Sequence, residues 1–353
     1  MNTSKAYFLI ADITGFTSFV AGTELEHSQK ILSEVLTLII GKLTPAFNLV
    51  EVEGDAVFVF APIEKYPRGE LILEIVESTY YSFRDTMTTF QRITTCSCMA
   101  CQMISTLDLK FVIHCGDFVM NNIAGKKKPL GNAVIVLHRL LKNSVSKDTG
   151  WKAYYLITKD CLESLNVPIN KSYSVTEQYE HLGAIRTEVI NLDEKYEEYQ
   201  KQKSITIDEK DAHYIFRKEF PVPASILWDW FNNPKRKSLY IKGSDWNVSE
   251  RPSGRTTKDA TNHCSSSKFI EMVLDYKPFD YFTTKLYRGF LNFTICGVFK
   301  PLNDTTELTY MVKMNGKLPE WILKILCRVL FASAVKDFAK LEKLIKDEQS
   351  SSV

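Results

Sequence analysis

The sequence predicts an α+β protein of two domains, residues 1–192 and 212–347, joined by a charged linker at 193–211 and ending in a disordered tail at 348–353. Three observations carry that expectation. Short apolar β segments alternate with amphipathic helices through the first half. The stretch from Asp193 to Asp211 is almost entirely charged and polar, with few apolar residues at any period. The second half then runs through several β segments into one long helical pattern at Pro319–Lys346. At 353 residues with a formal charge of +2, the chain is long enough for two cores and is not expected to bind nucleic acid. No uncharged apolar run reaches 18 residues, so no transmembrane segment is expected. Eight cysteines without a basic-then-apolar leader suggest reduced thiols and a cytoplasmic protein.

In chain order, Tyr7–Ala11 reads as a buried strand that ends on Asp12 and passes at once into Thr14-Gly15-Phe16-Thr17 ahead of a helix. A strand-to-helix turn leaves backbone N–H groups unpaired, which suits phosphate, and Asp12 can hold a divalent cation beside it. Glu51–Phe60 places Glu53-Gly54-Asp55 as a tight turn between two β segments, with Asp55 at the tip. If the two pieces share a sheet, Asp12 and Asp55 can share Mg2+ or Mn2+, and a cation keeps both carboxylates ionised where bare they would repel. Glu24–Leu43 and Gly69–Gln91 have apolar stripes at helical spacing and read as packing helices. Cys96, Cys98 and Cys101 crowd within six residues. A Zn2+ site with a fourth ligand from His114 or Cys115 is one reading, and thiols without metal is the other. Leu109–Gly116, Lys152–Ile157 and Gly183–Asn191 read as strands, Asn132–Asn143 as a helix, and Asp160–Leu165 as a short one.

Four of these pieces, in order, resemble the class III adenylate/guanylate cyclases. Phe8–Thr17 is similar to their first metal-binding segment and Glu53-Gly54-Asp55-Ala56 to the second. Leu109–Gly116 and Gly131–Leu140 are similar to the strand and helix that follow. The resemblance implies a ferredoxin-like cyclase homology domain, a sheet covered by helices, that binds a nucleoside triphosphate and converts it to a cyclic nucleotide. It implies metal ligation by Asp12, Ile13 and Asp55, and nucleotide contacts from Thr14, Gly15, Phe16, Thr17 and Gly54. Glu51 and Lys128 fall where the family reads the base, and Arg186 is the nearest charge to its triphosphate lysine. Arg139 matches the transition-state arginine, but Ile135 occupies the position of the partner asparagine, leaving Asn143 as a substitute or a helix cap. A lost transition-state donor typically costs about 100-fold in rate, so turnover stays open and a nucleotide-binding sensor is the alternative. The family completes its site between two chains, which implies a homodimer.

The second domain opens with a strand at His213–Phe220 and a helix started by Pro221-Val222-Pro223. β segments follow at Phe269–Tyr276, Tyr281–Tyr287, Phe293–Lys300 and Glu307–Met314. With the long final helix they resemble the START-like helix-grip domains, which implies an apolar cavity for a lipid or other hydrophobic ligand; a filled core is the alternative.

Overall fold

The computed structural model describes residues 3–65, 69–93, 99–123, 125–201, 204–252, 254–302 and 304–350. They form two compact units, 1–202 and 203–353.

In the first unit the elements run β1 (Ser4–Thr14), α1 (Phe16–Ala21), α2 (Leu25–Leu43), β2 (Asn48–Glu53), β3 (Ala56–Pro62), α3 (Glu70–Ile93), α4 (Met99–Met103), β4 (Asp108–Ile123), β5 (Lys126–Leu130), α5 (Asn132–Leu140), α6 (Val145–Thr149), β6 (Tyr154–Thr158), α7 (Lys159–Leu165), β7 (Tyr173–Tyr179), β8 (Gly183–Asn191) and α8 (Leu192–Lys201). The sheet order is β2-β3-β1-β4-β6-β8-β7, with β5 paired to the far end of β4. All pairings are antiparallel except β4–β6, and the chain between those two strands supplies β5, α5 and α6 as the crossover that a parallel pair requires.

β1 sits inside the sheet because its side chains are apolar on both faces. Ala6, Phe8 and Ile10 pack on one face with Val136, Leu137 and Leu140 of α5. Tyr7, Leu9, Ala11 and Ile13 are buried on the other, the face covered by α2 and α3. Such a strand is a continuous apolar run that stops where polarity is needed, at Asp12. Gly116 lets α5 lie close on β4, since a Cβ there would stand 2.8 Å from Ala133 Cβ.

The expected linker is largely structured. Residues 192–201 form α8, because Tyr196 and Tyr199, three apart on one helix face, pack on α3. Tyr81 and Tyr199 stack at 4.6 Å, and the Tyr196 hydroxyl donates to Asp85 at 2.6 Å. Ile207 is buried in the second unit and the Ile205 N–H donates to Asp275 at 2.7 Å.

The second unit runs β9 (Tyr214–Phe220), α9 (Ala224–Asn232), α10 (Pro234–Tyr240), β10 (Trp246–Glu250), β11 (Thr261–Cys264), β12 (Ile270–Lys277), β13 (Tyr281–Arg288), β14 (Leu291–Leu302), β15 (Thr305–Met314), α11 (Glu320–Phe331) and α12 (Ala334–Ser350). Its sheet is an antiparallel meander, β10 to β15 in order, closed by β9 on β15. The expected single helix is broken at Ala332-Ser333 into α11 and α12. α12 buries Phe338, Leu341 and Ile345, whereas Trp321, Ile325 and Val329 of α11 stay exposed, so the apolar stripe read as one face belongs to two.

Candidate functional site

The site begins where β1 ends. Asp12 pairs in register with Ala56 of β3, and the Ile13 N–H donates to the Asp55 carbonyl at 3.2 Å. The two acids therefore sit at one end of neighbouring strands, with Gly54 in the left-handed region (φ 64°) making the turn that presents Asp55. Burial and then the Asp12 charge push the Asp55 carboxyl above its ordinary value, while Lys110 opposes the shift. Lys110, the β4 residue opposite Asp12, places its Nζ 2.9 Å from Asp12 Oδ2 and reaches the Leu141 carbonyl at the end of α5. Two carboxylates and one ammonium leave a formal charge of −1.

That arrangement fits a divalent cation. Burial and then the Asp12 charge favour the protonated Asp55, and a cation between the two acids would remove their repulsion. Among the described residues no three acidic, histidine or cysteine side chains gather, so Mg2+ or Mn2+ here would complete its shell from phosphate oxygens and water, as Mg2+ commonly does. Ile13 is buried as a side chain, which leaves only its carbonyl for such a role. In the adjoining turn Gly15 has φ 88° and a Cβ would lie 2.7 Å from the Thr106 carbonyl oxygen, so no other residue fits without strain. Thr14 donates to the Lys152 carbonyl at 3.1 Å, while Phe16 and Thr17 open the short α1.

Glu51 and Lys128 come together as an ion pair between β2 and β5, each about one-third exposed. The Lys126–Lys128 run is thus the second strand of a hairpin with β4, and the register pairs Lys128 with Asn121. Arg186, on β8, lies away from Asp12 and Asp55 of its own chain. Thr187 pairs with Thr158, whose hydroxyl meets His114, and His114 pairs with Phe8. That level lies four residues from Asp12, roughly 13 Å along β1 and three strands away. Arg186 instead lines a polar cavity with His114, Asp117 and Asp160.

Arg139 and Ile135 line a shallow groove with His138, Lys142 and Tyr179. Ile135 is 54% exposed. Burial pushes the Tyr179 hydroxyl up to about 12 against the Arg139 charge, and that oxygen has no hydrogen-bond partner among the described residues. Asn143 is held in the turn after α5: its amide donates to the Leu140 carbonyl at 2.8 Å, and its Oδ1 accepts from the Val145 N–H and the Tyr154 hydroxyl. These are the bonds of a cap at the end of α5. Cys96 and Cys98 lie outside the described residues, and Cys101 is a half-buried thiol on α4. Lys110 and Tyr179 escaped sequence reasoning, since only the strand register and the β7 pairing bring them to the site.

The second unit encloses a cavity of about 300 Å3 between its sheet and helices, walled by Phe231, Phe282, Phe293, Ile295 and Phe338. One part of the wall is polar, where Lys237 Nζ lies 2.7 Å from both Glu271 oxygens and Asn262 donates to Glu271 at 2.9 Å.

The model of a family described as "Protein of unknown function (DUF2652)" matches residues 32–149. An uncharacterized protein of Mycobacterium tuberculosis is 27% identical over 146 residues, 41% of this chain and 66% of that protein. Among solved structures, a bacterial light-regulated adenylyl cyclase matches 54% of this chain and 52% of its own at 12% identity, with a TM-score of 0.41. The adenylyl cyclase CyaB from P. aeruginosa matches 54% of this chain and 95% of its own at 16% identity, with a TM-score of 0.39. The chain thus spans about two-thirds of the length of the first relative and about half that of the light-regulated cyclase.

Proposed function

We propose that the first unit binds a nucleoside triphosphate with a divalent cation at Asp12 and Asp55, and converts it to a cyclic nucleotide in a homodimer. The observation that carries the reading is the convergence of these two carboxylates at the ends of β1 and the β2–β3 hairpin, in an environment that disfavours both being bare anions. A cation bound there supplies charge stabilisation to the phosphates and to the attacking ribose 3′-hydroxyl as pyrophosphate leaves. Lys110 orients Asp12, and the turn at Gly15 keeps backbone close to the phosphates. Glu51 and Lys128, already paired, offer an acceptor and a donor to the edge of a base.

The Arg139 guanidinium makes no hydrogen bond or ion pair among the described residues, which supports a role toward a second copy. The second unit is proposed to be a START-like helix-grip module whose cavity takes an apolar molecule, and whose occupancy controls the first. Calorimetry with each of the four triphosphates and Mn2+ tests the binding: at least one should bind, and Asp12→Ala should abolish it. Silence for all four ends the reading.

A second reading, a catalytically degenerate nucleotide sensor, is favoured by exposed Ile135 where the transition-state asparagine is expected. If the cyclase reading holds, Ile135→Asn should speed product formation by roughly 100-fold. In that case, mixing Asp55→Ala with Arg139→Ala chains should restore part of the activity. Triphosphate binding without product from either wild type or Ile135→Asn leaves the sensor.

A further inference from the structure

The cavity of the second unit is lined by a polar group that its own fold does not satisfy, and a second such group lies on the same sheet face. Trp246, at the start of β10, is 7% exposed and lines the cavity, yet its indole Nε1 has no hydrogen-bond partner among the described residues. Thr284 is 4% exposed and its hydroxyl is likewise unpartnered. It lies between cavity-lining Phe282 and Leu286 on β13, so strand alternation puts it on the same face. Buried polar groups of folded proteins are nearly always paired, and each exception calls for a reason. An indole N–H is a donor only, so what Trp246 lacks is an acceptor.

The charges around the cavity set the sign of that acceptor. Lys237 is spent on both oxygens of Glu271 and lies 5.3 Å from the Trp246 ring centre. Asp337 also lines the cavity, with one oxygen accepting from the Lys242 N–H at 3.2 Å. Glu271 and Asp337 balance Lys237 and Lys242, the two lysines of the lining, and leave no surplus positive charge for a carboxylate. A ligand ammonium would find Glu271 already shared between Lys237 and Asn262, and would leave the indole N–H unmet.

We propose that this cavity binds a neutral, ring-containing apolar molecule through a carbonyl or ether oxygen that accepts from Trp246 Nε1, with Thr284 as a second donor. The aromatic walls at Phe231, Phe282, Phe293 and Phe338 favour a flat ring system over a free fatty acid. This inference rests on the second unit being a ligand-holding module and adds the chemistry of what it holds.

The test uses the full chain and four probes on one skeleton: acetylnaphthalene (neutral acceptor), ethylnaphthalene (no acceptor), naphthoate (anion) and naphthylmethylamine (cation). By calorimetry the ketone should bind about three- to tenfold more tightly than the hydrocarbon, the range expected for one net hydrogen bond. Both ions should bind more weakly than the ketone. Trp246→Phe keeps the ring but removes the donor, and should bring the ketone down to the hydrocarbon while leaving the hydrocarbon unchanged. Thr284→Val should narrow the same gap by a smaller factor. If ketone and hydrocarbon bind wild type equally, or naphthoate binds most tightly, the acceptor inference is overturned while the cavity stands as a ligand site. If folded wild type binds none of the four, the ligand-holding reading falls with it.

Discussion

Replacing Lys110 by methionine should lower stability and raise cation affinity at the same time. The ammonium stands 2.9 Å from Asp12 Oδ2, and both side chains are about four-fifths buried. At an effective dielectric of about 20 the gross attraction is ~6 kcal/mol, most of it offset by the desolvation of both groups. A net loss of roughly 2 kcal/mol is therefore expected, or ~4–8 °C in the melting temperature of a unit this size. The site charge simultaneously falls from −1 to −2, which should tighten Mn2+ binding by about tenfold or more, ~1.4 kcal/mol. Thermal melts in chelator and calorimetric Mn2+ titration read the two effects separately. If Lys110→Met melts lower yet binds Mn2+ no better than wild type, Lys110 does not compete with a cation for Asp12, and the charge reasoning fails.

Asp108 is buried and its carboxyl is pushed up to about 6, first by burial and then by the Asp193 charge. A raised folded value means that the native state holds the extra proton, so stability should fall as pH rises through about 4 to 6, by order ~3 kcal/mol. Asp108→Asn keeps an acceptor for the Leu109 N–H, and should flatten that slope and stabilise the protein at pH 8 in denaturant titrations. Lys237→Met should cost about 3–5 kcal/mol by stranding buried Glu271, and Lys237→Met with Glu271→Leu should recover at least half; a double-variant loss equal to the sum of the two single losses would mean that the pair is not coupled. Gly15→Ala should cost roughly 1–3 kcal/mol from the positive φ and the Thr106 clash, read by the same titrations.

Local pattern carried much of the first unit. The apolar run ending on Asp12, the Gly54 turn and the α5 stripe each contain their own signal, because strand burial, turn conformation and helix amphipathicity are properties of adjacent residues. What depended on pairing was not legible. Lys110 looks like any polar residue on an alternating strand until the β1–β4 register sets it opposite Asp12. Arg186 is a candidate by the cyclase resemblance, and the register through Thr158 and His114 sets it at another level of the sheet from Asp12 of its own chain. α8 was hidden by its own polarity, since two tyrosines spaced three apart are a weak stripe until Tyr80 and Tyr81 meet them. The final helix was read as unbroken, and as ending before 348 where α12 runs to Ser350, because an apolar residue does not say which partner buries it.

The placement of Asp12 on β1 also bears on how the site opens. β1 is hydrogen-bonded on both edges for nearly its whole length, and the Ile13-to-Asp55 bond ties its last turn to the hairpin. Asp12 therefore cannot swing away by local fraying, and the turn that carries Asp55 is tied to β1 through the Asp55 carbonyl. Amide hydrogens at Ala11–Ile13 and Ala56–Val57 should therefore exchange only through disruption of the whole sheet, with protection close to the global unfolding free energy. A ligand bound at this end would slow exchange across β3, β1 and β4 together, and would register as cooperative tightening of the entire unit.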